Sequence, residues 1–340
     1  MKILFTGFQG RQRSEKSYKK DYAPTARYTI RMLRDLGHKV VVDQPELGDK
    51  SIRDSYDLAF VGLNGYSQLS SLGGRFPALW VMSQLPHVAF IDDWQLEVIC
   101  SQLWRPSDSP WRQDDEHSDR AIQMDEIHAV IEHLTKLPSV LIPIQGWGDS
   151  ESIREHHPRI GRVFDFDPTP WVFDELEQTA AASDGRARKR AWFCTSLSNV
   201  DSLIKRDKLA WSVEGYWDKK RHTYIPEREV IDVKLQEYAA VYCPSHFKGC
   251  KVRGWFRCRW AHYAFREIPI CADHDEIGYL ADAAAFPSGA EMENMSDCDL
   301  IRLGREQSEA IVRMTASKQE ELGLLHKAII AARTEAVCAK

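Results

Sequence analysis

Through residue 165 the chain alternates short apolar runs with segments whose apolar positions recur at helical spacing. KILFTGF (2–8) reads as a buried strand and PTARYTIRMLRDLG (24–37) as a helix closed by Gly37. KVVVDQ (39–44), YDLAFVGL (56–63), HVAFIDD (87–93) and SVLIPIQG (139–146) are further strands. PALWVMSQL (77–85) and IQMDEIHAVIEHLTKL (122–137) are the helices among them. Residues 166–190 carry prolines, a short helical run and a basic exit, and read as a connector. The alternation then resumes with strand AWFCTSLS (191–198), helix NVDSLIKRDKLA (199–210) and strand WSVEGYW (211–217). Helix EREVIDVKLQEYA (227–239), strand AVYCPS (240–245), helix RCRWAHYAF (257–265) and strand IPICAD (268–273) follow. The tail from about 305 to 336 reads as mostly helix, with no cap that breaks it early.

Strands alternating with helices predict parallel sheets covered on both faces. Ligands of such sheets sit at the carboxyl ends of the strands, which directs attention to Gly7, Gly62 to Gly65, Asp92, Asp93 and Gly146. At 340 residues, two domains are expected. Three common chemistries lose their signature. No GxGxxG follows the first strand, no GxxxxGK[ST] occurs, and no GxSxG elbow appears.

Composition adds less than the distribution of charge. Hydrophobic residues make up 43% and mean hydropathy is −0.43, as in an ordinary globular protein. No apolar run nears the roughly 18 residues of a membrane span, and MKILFTGFQG lacks a signal peptide's apolar stretch, so a cytoplasmic location is expected. Eight cysteines form no CxxC pair, which makes reduced thiols the expectation. Cys243, His246, Cys250 and Cys258 match no common zinc-finger or ribbon spacing. The net charge of −5 excludes a uniformly basic nucleic-acid binder. Yet Lys248, Lys251, Arg253, Arg257 and Arg259 fall in a stretch without an acid, and Arg11, Arg13, Lys16, Lys19 and Lys20 crowd one early loop. Such patches suit phosphates, and equally suit a solvated surface.

Five pieces, in order, carry a resemblance. GGRFPAL (73–79), HVAFIDDW (87–94), IQGWGDSESIREHHPRIGRVFDFDPTPW (144–171), AWFCTSLSN (191–199) and CRWAHYAFREIPIC (258–271) together resemble the GT-B glycosyltransferases. Within them the chain looks like the phage DNA β-glucosyltransferases that decorate 5-hydroxymethylcytosine. The resemblance implies an α/β fold of the GT-B type, two Rossmann-like domains whose parallel sheets face a central cleft. It implies an acceptor domain over 1–165, a linker over 166–190, a donor domain over 191–308, and a C-terminal helix over 309–340 packing back on the first domain.

By the same resemblance, Asp93 is the general base that takes the acceptor hydroxyl's proton. Asp92 is its alternative, since strand alternation turns the two carboxylates to opposite faces. An N-cap or a salt bridge is the plain structural role for either. Arg259 corresponds to the arginine that neutralises the departing diphosphate. His262 stands where the family carries a glutamate that grips the ribose, and imidazole makes one such bond in place of a bidentate pair. Ser196, Ser198 and Asn199 form the phosphate-facing loop. Ser198 replaces the family's arginine there, and Ser198 or Asn199 equally suits a helix N-cap. Gly146 completes the donor set, while Thr25, Arg11, Arg13, Lys16, Gly74 and Arg75 are the acceptor and DNA candidates.

The implied function is transfer of a sugar from a UDP-sugar to a hydroxyl on a modified pyrimidine in double-stranded DNA, with inversion and base flipping. Trp94, Trp104, Trp111, Trp147 and Trp255 are candidates to fill the vacated stack. UDP-glucose is the first donor to try. The serine and histidine replacements leave room for a UDP-pentose. A divalent metal stays open as an alternative, though no ligand set in the sequence indicates one. No membrane partner is expected, the chain is expected to be a monomer, and a phage-encoded chain would work in the host cytoplasm. Two alternatives stay open: a GT-B enzyme acting on small molecules or cell surfaces, and a non-catalytic DNA-binding protein with a degenerate GT-B shell.

Overall fold

A computed structural model describes residues 1–6, 24–42, 52–62, 81, 84–91, 140–143, 162–179, 188–194, 204–205, 207–215, 217–218, 223–224, 235–243, 257–272 and 278–338. The chain divides into two compact units, Met1–Pro168 with Ser317–Lys340, and Thr169–Ala316.

In the first unit the strands are β1 (Lys2–Thr6), β2 (Lys39–Val42), β3 (Leu58–Gly62), β4 (His87–Ile91), β5 (Val140–Pro143) and β6 (Arg162–Val163). They form one sheet in the order β2-β1-β3-β4-β5-β6, every neighbouring pair parallel. The expected strands at 2–8, 39–44, 56–63, 87–93 and 139–146 are all present within those spans. Ile3, Leu4, Phe5, Leu58, Ala59, Phe60, Val61, Val88 and Ala89 are buried without alternation. Unbroken apolar runs of this kind mark strands covered on both faces.

Helix α1 (Pro24–Asp35) turns Tyr28, Ile30, Met32 and Leu33 inward and packs against β2. It ends as expected at Gly37, whose φ of 77° lets the amides of Gly37 and His38 reach the carbonyls of Arg34 and Leu33. A single turn, α2 (Ile52–Ser55), precedes β3.

The second unit opens with α3 (Thr169–Thr179), which buries Trp171, Val172 and Leu176. Its strands are β7 (Lys189–Cys194), β8 (Ser212–Gly215), β9 (Trp217–Asp218), β10 (Thr223–Tyr224), β11 (Tyr238–Cys243) and β12 (Ile270–Ala272). The expected strand at 211–217 is thus two pieces, and β9 leaves the main sheet to pair antiparallel with β10. The expected helix at 227–239 is a short 3-10 turn in its described part, Leu235–Glu237, and β11 starts at Tyr238. The main sheet is parallel in the order β8-β7-β11-β12. Counted from its first strand this is the order that β2-β1-β3-β4 has in the other unit.

Helix α4 (Arg257–Phe265) connects β11 to β12, followed by α5 (Gly289–Glu293) and α6 (Asp297–Met314). Trp192, Cys194, Ala240 and Tyr242 share one face of the sheet, under Met292, Leu300 and Leu303. Helix α4 packs against α3 and α6.

Two contacts fix α6, one polar and one a close backbone approach. Gln307 is fully buried; its amide accepts from Ile270 N–H (2.7 Å) and donates to the carbonyls of Ile270 (3.0 Å) and Ala285 (2.9 Å). One side chain thereby closes the free edge of β12, where an unpaired ladder is a liability. Gly304 lies against the turn between α4 and β12. That turn holds Glu267 at φ 50°, with the amides of Glu267 and Ile268 bonded to the carbonyls of Ala264 and Tyr263. This is the same helix ending as at Gly37, made with a side chain that pays about 1 kcal/mol for left-handed geometry.

The tail is two helices, α6 and α7 (Lys318–Cys338), and not one run. Thr315 leaves the helix at ψ 125°, and Ser317 restarts it: its hydroxyl accepts from Glu320 N–H (3.3 Å) while its own N–H and hydroxyl meet the Glu320 carboxylate (2.9 and 2.8 Å). This break coincides with the return of the chain to the first unit. There α7 packs on β4 and β5 through Leu325, Ala328, Ile329 and Ala332. Glu321, on the same buried face, accepts from the Asp167 N–H at 2.6 Å, one residue before the chain leaves that unit. Among the described residues no helix is long and apolar enough to cross a membrane.

A Cβ at position 304 would collide with the Glu267 carbonyl oxygen, a backbone atom that cannot swing aside. Gly304→Ala is therefore expected to cost about 2 kcal/mol, read as a lower urea midpoint with unchanged slope.

Candidate functional site

A strand order of 2-1-3-4 makes the chain step outward from the first strand on one side and then return to its other side. The crevice at that reversal, beyond the carboxyl ends, is where open parallel sheets bind ligands. In the first unit the reversal lies between β1 and β3; in the second, between β7 and β11.

The strand ends are level. Thr6 pairs with Val61, Gly62 with Phe90, and Ile91 with Pro143. In the second unit Cys194 pairs with both Gly215 and Tyr242, and Cys243 with Ala272.

From the second sheet's reversal leave the segments 195–203 and 244–256, and α4 follows the latter. Its opening turn holds Arg257 and Arg259 and no acid, whereas α5, α6 and α7 all open with acids, as the helix dipole favours. Trp260, Ala261, His262, Tyr263 and Ala264 are all buried, His262 to 4% exposure. Tyr263 ties the helix to the end of β11, where the Cys243 thiol meets its hydroxyl at 3.9 Å.

Downstream of 195–203 the chain is held firmly. Lys208, at φ 53°, ends the short helical stretch, with Leu209 N–H on the Ile204 carbonyl (3.2 Å). The Tyr242 hydroxyl donates to the Asp207 carboxylate. Glu293, the last residue of α5, accepts from Ala210 N–H (2.8 Å), Trp211 N–H (2.7 Å) and the Trp192 indole N–H (2.7 Å). Among the described residues the largest displacement of an ionisation lies at the amino end of the strands. Burial, then the hydrogen bond and charge of Glu214, push the Tyr238 phenol well above its ordinary range. Tyr238 and its neighbour Lys189 begin their strands, so this is a structural cluster at the amino edge.

No protein-family model and no curated protein matches the chain. Solved structures do. The DNA-modifying enzyme β-glucosyltransferase, determined in the presence and absence of uridine diphosphoglucose, aligns with a TM-score of 0.57. The alignment covers 97% of this chain and 99% of that one at 13% identity. The chain has the GT-B fold of the β-glucosyltransferases. T4 phage BGT in complex with UDP and Mn2+ aligns with a TM-score of 0.55, at the same coverage and identity.

Within this GT-B fold, the candidates fall unevenly on the described residues. His262 is a buried residue of α4. Arg259 and Thr25 belong to α4 and α1, while their side chains lie outside the described set. Arg11, Arg13, Lys16, Gly74, Arg75, Asp92, Asp93, Gly146, Ser196, Ser198 and Asn199 lie outside the described residues, as do the five candidate tryptophans. In sequence, Asp93 follows the end of β4 by two positions, Gly146 follows β5 by three, and Ser196 follows β7 by two. Among the described residues no group of three or more His, Cys, Asp or Glu could hold a metal ion.

Sequence reading missed three polar side chains that hold the second unit together: Asp207, Tyr242 and Glu293. Tyr242 gave one signal, a hydroxyl in the otherwise buried strand YAAVYC, since a buried phenol needs a partner. Glu293 lies far away in sequence from the amides it holds. Removing its carboxylate in Glu293→Ala strands three donors and should cost about 2–3 kcal/mol. Glu293→Gln, which keeps one acceptor oxygen, should fall between that variant and the parent in urea denaturation.

Proposed function

We propose that the chain is a glycosyltransferase moving a sugar from a UDP-sugar to the hydroxyl of a hydroxymethylcytosine-like pyrimidine in double-stranded DNA. The observation that carries this reading is the repeated strand order. Both units reverse at their first strand, and the chemically equipped segments of the sequence follow the carboxyl ends of β1, β3, β4, β5, β7 and β11. The full-length likeness to a DNA-modifying β-glucosyltransferase supports the same assignment.

In this mechanism the Asp93 carboxylate takes the proton of the acceptor hydroxyl as its oxygen attacks the anomeric carbon. The bond from that carbon to the diphosphate oxygen breaks on the opposite face, inverting the centre, and UDP departs with the electron pair. Arg259, in an opening turn that carries two arginines and no acid, meets the growing negative charge on the diphosphate. Ser196, Ser198 and Asn199 offer hydroxyls, an amide and backbone N–H groups to the same phosphates. His262 gives one hydrogen bond to the ribose. The acceptor base leaves the duplex to reach Asp93, while Arg11, Arg13, Lys16 and Arg75 contact the backbone phosphates, with Thr25 and Gly74 beside the acceptor. UDP-glucose is the first donor, with a UDP-pentose as the alternative.

The deciding experiment incubates the chain with hydroxymethylcytosine DNA and a panel of UDP-sugars, followed by nucleoside mass spectrometry. A mass gain of one glycosyl unit on the modified nucleoside is expected. Duplex binding without any UDP-sugar binding would instead leave a non-catalytic shell.

Asp93→Asn should lower transfer by roughly 10²- to 10⁴-fold with UDP affinity intact; retained turnover would move the base to Asp92. Arg259→Ala should weaken UDP binding at least tenfold, on the order expected for losing a charge-assisted contact, as measured by calorimetry.

A further inference from the structure

Three elements of the first unit meet at Met1. Its carbonyl accepts from the Lys39 N–H at 2.9 Å, which brings the start of β2, and His38 before it, alongside the start of β1. Its thioether accepts from Arg333 Nη1 of α7 at 3.3 Å. His326 stands two turns before Arg333 on the same helix, and its imidazole acts on His38 across this corner.

The corner is rich in cations. His38 faces the Met1 ammonium from β1 and His326 from α7. The neighbouring elements add Arg34 in the last turn of α1, Lys39 at the start of β2, and Arg333. Two carboxylates are close by in the chain or the sheet, Asp35 at the end of α1 and Asp57 on the Lys2 N–H. Neither is among the charges that weigh on His38.

Nε2 of His38 is buried without a hydrogen-bond partner among the described residues, so an added proton there would meet no acceptor. The carboxyl end of α1 would favour a cation, but its carbonyls at Leu33 and Arg34 are already taken by the amides of His38 and Gly37. Burial, then the Met1 ammonium, then His326 hold the His38 imidazole below its ordinary range. A proton therefore binds more readily once the corner opens. Stability is fully present at neutral pH and is lost as the pH falls from about 6.5 toward the folded value.

We propose that His38, the Met1 ammonium and His326 form an acid-sensitive latch, which holds the second half of α7 at the amino edge of the first sheet and loosens it when His38 takes up a proton. The latch is a property of the first unit and does not depend on the transfer reaction.

Titration of the histidine ring protons by NMR, with hydrogen–deuterium exchange, tests it on the full chain. His38 should titrate below an ordinary imidazole, and should move up in His326→Gln, a change at an exposed position. Exchange corrected for the intrinsic effect of pH should be roughly tenfold faster at about pH 5.5 than at about pH 7.5 in peptides covering 326–338 and 36–42. Peptides of α6 should show no such gain. The gain should shrink in His326→Gln and vanish in His38→Gln. A His38 midpoint at or above the ordinary value, or one unmoved in His326→Gln, would overturn the latch. So would equal protection of α7 at both pH values, or an acid-induced loss spread evenly over both units. Should His38→Gln fail to fold, the His326→Gln shift and exchange decide the matter.

Discussion

A strand bonded to parallel neighbours on both sides cannot reach either of them by a tight turn. It must cross over, and every crossover leaves from the carboxyl edge and returns at the amino edge. That constraint organises both units. It gathers the segments that leave the strands of each sheet on one side and leaves the amino edges free to be locked. The locking is similar in the two. Lys2 and Lys189 each begin the first strand of their sheet, and each ammonium lies over a tyrosine ring, Tyr56 at 4.6 Å and Tyr238 at 4.0 Å. Asp57 accepts from the Lys2 backbone N–H at 2.6 Å, and Glu214 meets the Lys189 ammonium at 2.7 Å. The charges of these two clusters sit at the amino edges, opposite the strand ends where open parallel sheets bind ligands.

Much of this architecture was legible in the sequence, for a definite physical reason. Central parallel strands are buried on both faces, so they appear as short unbroken apolar runs such as KILFT and YAAVYC. Helix starts were equally open to reading. Ser288 and Glu291, like Ser317 and Glu320, stand three apart and cap reciprocally. Overlooking the second of these made one helix of the tail where there are two. Helix ends were harder. Gly37 announced its turn, but Lys208 and Glu267 adopt the same left-handed geometry without glycine. Only the tertiary contacts show why position 267 bears the cost. Arg188 donates to the carbonyls of Arg266 and Glu267 at 3.0 and 3.4 Å, and Gly304 leaves that turn room.

The candidate site was legible in a different sense. Local pattern directed attention only to strand ends, Asp92 and Asp93 among them; the roles expected of Asp93, Ser196 and Arg259 came from the resemblance to the β-glucosyltransferases. The polar side chains that fix the second unit were hidden, because their contacts are non-local. Glu293 serves amides 82 and 83 residues away, and Gln307 reaches Ile270 across 37. Nothing in the period of a helix marks which of its polar residues will turn inward to do this. Gln307 and Glu321 share their helices with many polar neighbours that stay in solvent.

Buried polar groups of this kind also say where the fold tolerates little change. A glutamine that takes both the N–H and the carbonyl of Ile270 specifies one placement of α6 on the edge of β12, because any slip would leave four buried polar atoms unmatched. Helix α6 in turn contacts α4, whose buried middle carries His262 and whose opening turn carries Arg259. The orientation of α4 is therefore set from behind, by packing and by an amide on a neighbouring helix, and not by the residues that make it chemically interesting. This leaves the opening turn free to differ in side chains while its backbone stays fixed. A fold shared with a β-glucosyltransferase at 13% identity is consistent with such a division between what places the backbone and what the turn presents.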